Sequence, residues 1–239
     1  MNINKNNLYV SVGNTRTSFA YFPENINSMK VIKKNTKLFL EDVNLDEILN
    51  EFNINPSKVF VCSVVQEVSD KLDILFKDKE LIFLEYNNQN IISLDSLDNP
   101  KEIGNDIIAS SIYANSLGTN IIVISLGTAS VISSIDNGSL VGCIIMPGLD
   151  ISYNALVDNT AIKKSKLIEI NKTLGTNTQE SLSIGIINGH KIMIESLATN
   201  LHTPKTKYIY FGGNSSYITF TDWEQIEDAD LLGLYIFSN

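Results

Sequence analysis

The stretch Ile121-Ile122-Val123-Ile124-Ser125-Leu126-Gly127-Thr128-Ala129-Ser130-Val131-Ile132-Ser133-Ser134-Ile135-Asp136 decides the fold. Its first four residues form a β-branched run that suits a buried strand. Residues 125–129 are mostly small, and apolar positions resume beyond Ser130. The pattern predicts a strand, a tight turn and a second strand. Gly127 in the turn lets a ligand approach the backbone, because no Cβ stands in the way. Thr128 adds a hydroxyl and its own N–H. N–H groups gathered in such a turn suit an anion, most often a phosphate.

The same pattern occurs at residues 8–22, LYVSVGNTRTSFAYF. An apolar strand runs into Ser11-Val12-Gly13-Asn14-Thr15, and a second strand follows from Thr17. Ser11-Val12-Gly13 aligns with Ser125-Leu126-Gly127. Two strand–Ser-x-Gly–strand units about half a chain apart point to a duplicated domain with a nucleotide between the halves. One such unit alone is an ordinary hairpin with a glycine in its turn.

At 239 residues, with 44% hydrophobic and 19% charged side chains, the chain is one large or two small globular domains. A formal net charge of −9 argues against a nucleic-acid surface, which needs clustered Lys and Arg. Cys62 and Cys143 sit in apolar runs without ligand spacing. His190 and His202 have no partners patterned for a metal site or triad. Residues 1–7 are polar, without the apolar core of a signal peptide, and no apolar run is long enough to span a bilayer. These features predict a cytoplasmic protein.

Between the hairpins, residues 31–38 read as a third strand and 44–52 as an amphipathic helix capped by Asn44. Residues 58–65 and 80–84 read as strands, and 69–76 and 104–117 as helices. Gly118-Thr119-Asn120 is the expected boundary. The second half repeats the plan: a strand at 140–146, helices at 151–157 and within 175–197, a strand at 208–211 and a terminal helix at 231–237. Alternating strands and helices in two similar halves predict an α/β protein.

The motifs, taken in order, resemble those of the type III pantothenate kinases, in the acetate and sugar kinase/Hsp70/actin superfamily. That family opens with D-x-G-N-T, met here by Ser11-Val12-Gly13-Asn14-Thr15. Its N-P-x-x-h-G-x-D-R (h apolar) corresponds to Asn99-Pro100-Lys101-Glu102-Ile103-Gly104-Asn105-Asp106-Ile107. Its D-x-G-T-A corresponds to Ser125-Leu126-Gly127-Thr128-Ala129, and its G-G-x-I-x-P-G to Gly142-Cys143-Ile144-Ile145-Met146-Pro147-Gly148. G-x-N-T is present as Gly175-Thr176-Asn177-Thr178, and T-G-G corresponds to Phe211-Gly212-Gly213.

The resemblance implies two ribonuclease H-like domains, residues 1–118 and 119–239, in a duplicated actin-like ATPase fold with the nucleotide cleft between them. It implies transfer of the ATP γ-phosphate to pantothenate, the first step of coenzyme A synthesis. Asp106 then stands as the catalytic base. Ser11, Gly13, Asn14, Thr15, Gly127, Thr128 and Ala129 stand as nucleotide contacts. Gly104, Asn105, Asp106, Ile107 and Thr178 stand at the pantothenate site. The implied cofactors are ATP, Mg²⁺ and a monovalent cation (K⁺ or NH₄⁺), and the implied assembly is a homodimer, with no nucleic-acid or membrane partner.

The chain departs from the family at charged positions. Ser11 and Ser125 replace aspartates that serve the cations, so the monovalent-cation ligand at Ser125 is lost. Ser133 also stands where many members have an aspartate, and Leu97 where a substrate tyrosine is frequent. Ile107 replaces the arginine that holds the pantothenate carboxylate, and it offers no bidentate fork. Serine is a weak ligand for Mg²⁺, which prefers carboxylate and phosphate oxygens. Two readings stay open. One is a divergent kinase whose replacement carboxylates come from elsewhere. The other is a catalytically impaired homologue that acts as a binding or regulatory subunit, or as the mixed-dimer partner of an active kinase. In the second reading Ile107, Ile108 and Ile112 offer an apolar face to a partner subunit; the alternative turns Ile107 into its own domain's core, and the spacing suits both.

Overall fold

The computed structural model describes residues 7–41 and 45–239. The first sheet contains β1 (Asn7–Val12), β2 (Arg16–Tyr21), β3 (Lys30–Asn35), β4 (Lys58–Ser63) and β5 (Glu80–Phe83), in the order β3-β2-β1-β4-β5. The second contains β6 (Asn120–Leu126), β7 (Ala129–Asp136), β8 (Ser139–Pro147), β9 (Lys207–Phe211) and β10 (Glu224–Gln225), in the order β10-β9-β6-β7-β8. Read from its opening strand, each sheet has the same order. The opening strand pairs antiparallel with the next (β1 with β2, β6 with β7) and parallel with the fourth (β1 with β4, β6 with β9). This repetition is the duplication that the two Ser-x-Gly hairpins predict, in the ribonuclease H-like topology that the family resemblance implies.

Helices fill the connections: α1 (Thr36–Glu41), α2 (Leu45–Phe52), α3 (Gln66–Leu75), α4 (Asn105–Leu117), α5 (Leu149–Asp158), α6 (Thr178–Ser183), α7 (Gly189–Thr199) and α8 (Ala229–Phe237). A π-helical turn, Ile184–Asn188, joins α6 to α7. No helix among the described residues is long and apolar enough to cross a membrane.

The chain forms two compact units. The first holds the described residues through Leu117, with Gly138–Leu140 and Asp228–Asn239; the second holds Gly118–Asn137 and Val141–Glu227. The terminal helix α8 therefore belongs to the first unit, whereas the sequence reading ran the second domain to Asn239. The reason is local to the first unit: α8 lies along α4, and Gly233 meets the Ala109 backbone so closely that a Cβ there would stand 1.7 Å from the carbonyl oxygen.

The strand period of two explains how the first unit is layered. Leu8, Val10 and Val12 of β1 and Val59 and Val61 of β4 join Phe39, Ile48, Val68 and Leu72 in one core. The alternate residues face the other way. There Tyr9 stacks on Phe60 at 5.6 Å, and its hydroxyl hydrogen-bonds Ser238 Oγ beyond the end of α8 at 2.9 Å. β1 is buried on both faces, so even Ser11 is only 6% exposed. In the second unit Ile122, Ile124 and Leu126 of β6 pack with Ile132, Leu149, Ile194 and Tyr210 in an equivalent core.

Several sequence expectations need adjustment. The third strand ends at Asn35 rather than 38, because the Asn35 side chain accepts the Lys37 and Leu38 N–H groups (3.0 and 3.2 Å) and starts α1. The proposed cap Asn44 lies outside the described residues. Ile107, Ile108 and Ile112, read as an apolar face for a partner, are 8%, 0% and 0% exposed, so they are interior residues of this chain. Asn137 (φ 46°) and Gly138 (φ 83°) make a left-handed turn at the end of β7.

Candidate active site

In the first unit, residues that are far apart in sequence meet at the carboxyl ends of β1 and β4. The register pairs Ser11 with Cys62 and Val12 with Ser63. The hairpin turn is closed by Gly13 N–H to Arg16 O (2.9 Å) and held by the Thr36 hydroxyl on Gly13 O (2.7 Å). Val64 N–H donates to Val12 O at 3.1 Å, and Asn105 Nδ2 donates to Ser63 O at 3.2 Å. These bonds bring the start of α4, with Gly104, Asn105 and Asp106, to the strands that carry the first hairpin. Carboxyl ends of parallel strands are where open α/β sheets place their ligands.

Asp106 lies in the first turn of α4, where the helix dipole favours negative charge. Its carboxylate accepts the Ile107 N–H at 2.9 Å. Burial nevertheless pushes its pKa above the usual carboxylate range. Gly104 matters here: a Cβ on it would stand 2.5 Å from Asp106 Oδ1, so the bare backbone gives the carboxylate room to fold back over the helix start.

The structure adds a residue that sequence reasoning missed. Asp230, in the first turn of α8, accepts a short hydrogen bond from the Ser11 hydroxyl. Leu231 N–H also donates to it. Its pKa is raised from 3.8 to about 6, chiefly by burial, with the charges of Asp228 and Asp106 adding to the rise. Asp106 and Asp230 also raise the buried Cys62 thiol, after burial itself. Ser11, Cys62, Asp106 and Asp230 are therefore electrostatic neighbours. Asp228, with φ 44°, turns the chain into α8 and pairs with Lys33 Nζ of β3 at 2.6 Å.

In the second unit the hairpin 125–129 is fixed by close backbone approaches. Gly127 N–H donates to Ala129 O (3.1 Å), Gly148 N–H to Thr128 O (3.0 Å) and Asn214 Nδ2 to Gly127 O (3.2 Å). A Cβ on Gly148 would stand 2.4 Å from the carbonyl oxygens of Gly127 and Thr128. One on Gly212 (φ 113°) would stand 2.5 Å from Leu126 O. The glycines of three separate motifs thus converge on one turn. No carboxylate hydrogen-bonds the Ser125 hydroxyl among the described residues, unlike that of Ser11. Thr178 is exposed at the start of α6, where Asn177 accepts the Glu180 N–H at 2.9 Å. The Lys172 ammonium, with Thr176 N–H and hydroxyl, holds the Glu180 carboxylate at about 2. No hydrogen bond links Thr178 to the second hairpin among the described residues.

The family profile described as type III pantothenate kinase matches residues 7–200. The chain belongs to the type III pantothenate kinase family. A relative named type III pantothenate kinase from Mycoplasma mobile is 32% identical over 239 residues, covering 95% of this chain and 96% of the relative. Among solved structures, a Baf family transcriptional activator from Campylobacter jejuni superposes with a TM-score of 0.61 at 19% identity, covering 95% of this chain and 94% of that one. An activator of 2-hydroxyisocaproyl-CoA dehydratase from Clostridium difficile, solved with bound ADPNP, superposes with a TM-score of 0.52 at 13% identity, covering 97% and 94%. At these identities the two structures speak for the fold alone.

Family membership raises the question of the cations. Among the described residues no three His, Cys, Asp or Glu side chains cluster as a metal cage. A nucleotide-borne Mg²⁺ does not need one, since one or two carboxylates suffice beside the phosphates. The first hairpin meets that requirement only through Asp230 beside Ser11. The second hairpin, with Ser125 alone, does not fit a monovalent cation held by a carboxylate.

Proposed function

We propose that this chain phosphorylates pantothenate from ATP, the first step of coenzyme A synthesis, in the cytoplasm. Family membership supports the reaction. The observation that carries it is Asp106: the family's base position keeps its carboxylate, and that carboxylate lies with Ser11 and Asp230 at the strand ends of the first unit. Phosphoryl transfer needs positioning and charge neutralisation more than covalent help. In this reading Asp106 accepts the proton of the attacking hydroxyl. A carboxyl raised by burial is a stronger base than an ordinary one, which suits it to that task. Gly13, Asn14 and Thr15 contact the nucleotide phosphates from the first hairpin. Gly127, Thr128 and Ala129 are assigned nucleotide contacts on the second hairpin, and Gly104, Asn105 and Thr178 are assigned to pantothenate. Asp230 and Ser11 would form the protein side of a nucleotide-borne Mg²⁺, which would supply charge neutralisation at the transferred group. The family's homodimer is retained in this reading. Ile107 is interior, so it neither clamps the pantothenate carboxylate nor packs on a partner.

The test is a coupled assay of ADP release with ATP, Mg²⁺ and pantothenate. Pantothenate-dependent turnover is expected, and Asp106→Asn should lower kcat about 10²–10⁴-fold, the usual worth of a positioned general base. Absence of pantothenate-dependent turnover in the folded protein would overturn the assignment.

A further inference from the structure

We propose that Asp230 is the carboxylate of the first phosphate hairpin, moved from the strand to α8, and that Ser11 and Asp230 together do what a single aspartate at position 11 does in relatives. The inference rests on the kinase reading for the identity of the ligand, a nucleoside triphosphate with a divalent cation. Ser11 Oγ donates to Asp230, so a carboxylate stands one hydrogen bond beyond the place where the strand itself would present one. Ser11 is buried at the end of β1, directly before the Gly13 turn, and Asp230 is half-buried, so the pair is not a solvated surface contact. The hydroxyl and the Leu231 N–H use part of the carboxylate's acceptor capacity; two oxygens with about four lone-pair sites leave room for a further ligand.

The architecture holds this arrangement in place. Asp230 lies at the start of a helix anchored by Gly233 against Ala109, by Ser238 against Tyr9, and by the ion pair of Asp228 with Lys33. The groups facing the pair are Asp228 beside Asp230 on the chain, Asp106 from α4 and Cys62 from β4. None of them is a cation. Three acidic side chains, with Lys33 already paired to Asp228, are the setting a divalent cation would neutralise. Among the described residues no carboxylate hydrogen-bonds the Ser125 hydroxyl, so the two Asp-to-Ser departures are not equivalent.

The experiment is titration of ATP into the purified chain, with Mg²⁺ and with chelator, for four proteins: wild type, Asp230→Asn, Asp230→Ser and the exchange variant Ser11→Asp/Asp230→Ser. Asp230→Asn keeps an acceptor for Ser11, and thermal denaturation of each protein confirms folding. Wild type should bind ATP more tightly with Mg²⁺ than without. Both single variants should lose about tenfold or more of that Mg²⁺ enhancement, the usual cost of disturbing a metal site. The exchange variant should regain it. Unchanged enhancement in the folded single variants would overturn the inference and leave the kinase reading standing. Absence of Mg²⁺ enhancement in wild type would also overturn it. Asp230-dependent enhancement without turnover on pantothenate would uphold it and overturn the acceptor assignment instead.

Discussion

Asp230→Asn should stabilise the ligand-free protein at alkaline pH and leave it unchanged in acid. The carboxyl ionises near 3.8 in an unfolded chain and at about 6 in the fold. Between those values the folded state keeps a proton that the unfolded state has released. Stability therefore falls as pH rises through that window, and the full penalty stands above it. A shift of roughly two units corresponds to about 3 kcal/mol. Asparagine carries no charge and still offers a carbonyl oxygen to the Ser11 hydroxyl, so it escapes the penalty while keeping the bond. Urea denaturation of wild type and variant at pH 4 and pH 8, without nucleotide or divalent ions, gives the difference directly. The variant should gain up to about 3 kcal/mol at pH 8 and close to nothing at pH 4. A variant destabilised more at pH 8 than at pH 4 would refute the reasoning, because it would mean that the ionised carboxylate is favourably held by the fold.

Gly233→Ala would drive a Cβ into the Ala109 backbone, so α4 and α8 should separate at a cost of about 3 kcal/mol or more, read as a lower denaturation midpoint. Ile107→Arg should not restore a carboxylate clamp; burying an unpaired guanidinium at an 8% exposed site should cost about 3–5 kcal/mol in the same assay. Gly148→Ala should displace the turn at Gly127 and Thr128 and weaken ATP binding by calorimetry, with α4 and α8 unaffected by hydrogen exchange. ATP affinity should be the same in K⁺ and Na⁺ buffers, since no carboxylate hydrogen-bonds Ser125 among the described residues.

Much of the fold was legible because it depends on local pattern. The β-branched run before Ser125 and the apolar strand before Gly13 each report a backbone preference that tertiary contacts do not reverse. The start of α1 was missed because Asn35 reads equally well as the end of a strand, and its capping bonds decide the matter. The orientation of Ile107 was undecidable from spacing: α4 carries buried residues on nearly all sides, including Ile107, Ala109, Ser110, Ser111 and Ile112, so it has no distinct apolar stripe to read. Asp230 was invisible for a different reason. It is one acid in the first turn of a terminal helix, where an acid is expected on dipole grounds alone. Only the return of that helix to the first unit gives it another meaning.

That return also explains why one substitution, made at the same place in two copies of one topology, has two outcomes. Ser11 and Ser125 occupy matching positions, each at the end of its sheet's opening strand and each before a glycine turn. A serine in such a place loses a charge but keeps a hydroxyl donor, and the consequence depends on what stands opposite. Beside Ser11 the answer is α8, whose first turn brings Asp230 within hydrogen-bond reach. Among the described residues no carboxylate hydrogen-bonds Ser125, and the turn is held by backbone contacts from Gly148 and Gly212 and by Asn214. The duplicated sheets therefore impose a common geometry without imposing common chemistry. The helix that closes the chain sets the difference, through one side chain that no hairpin motif contains.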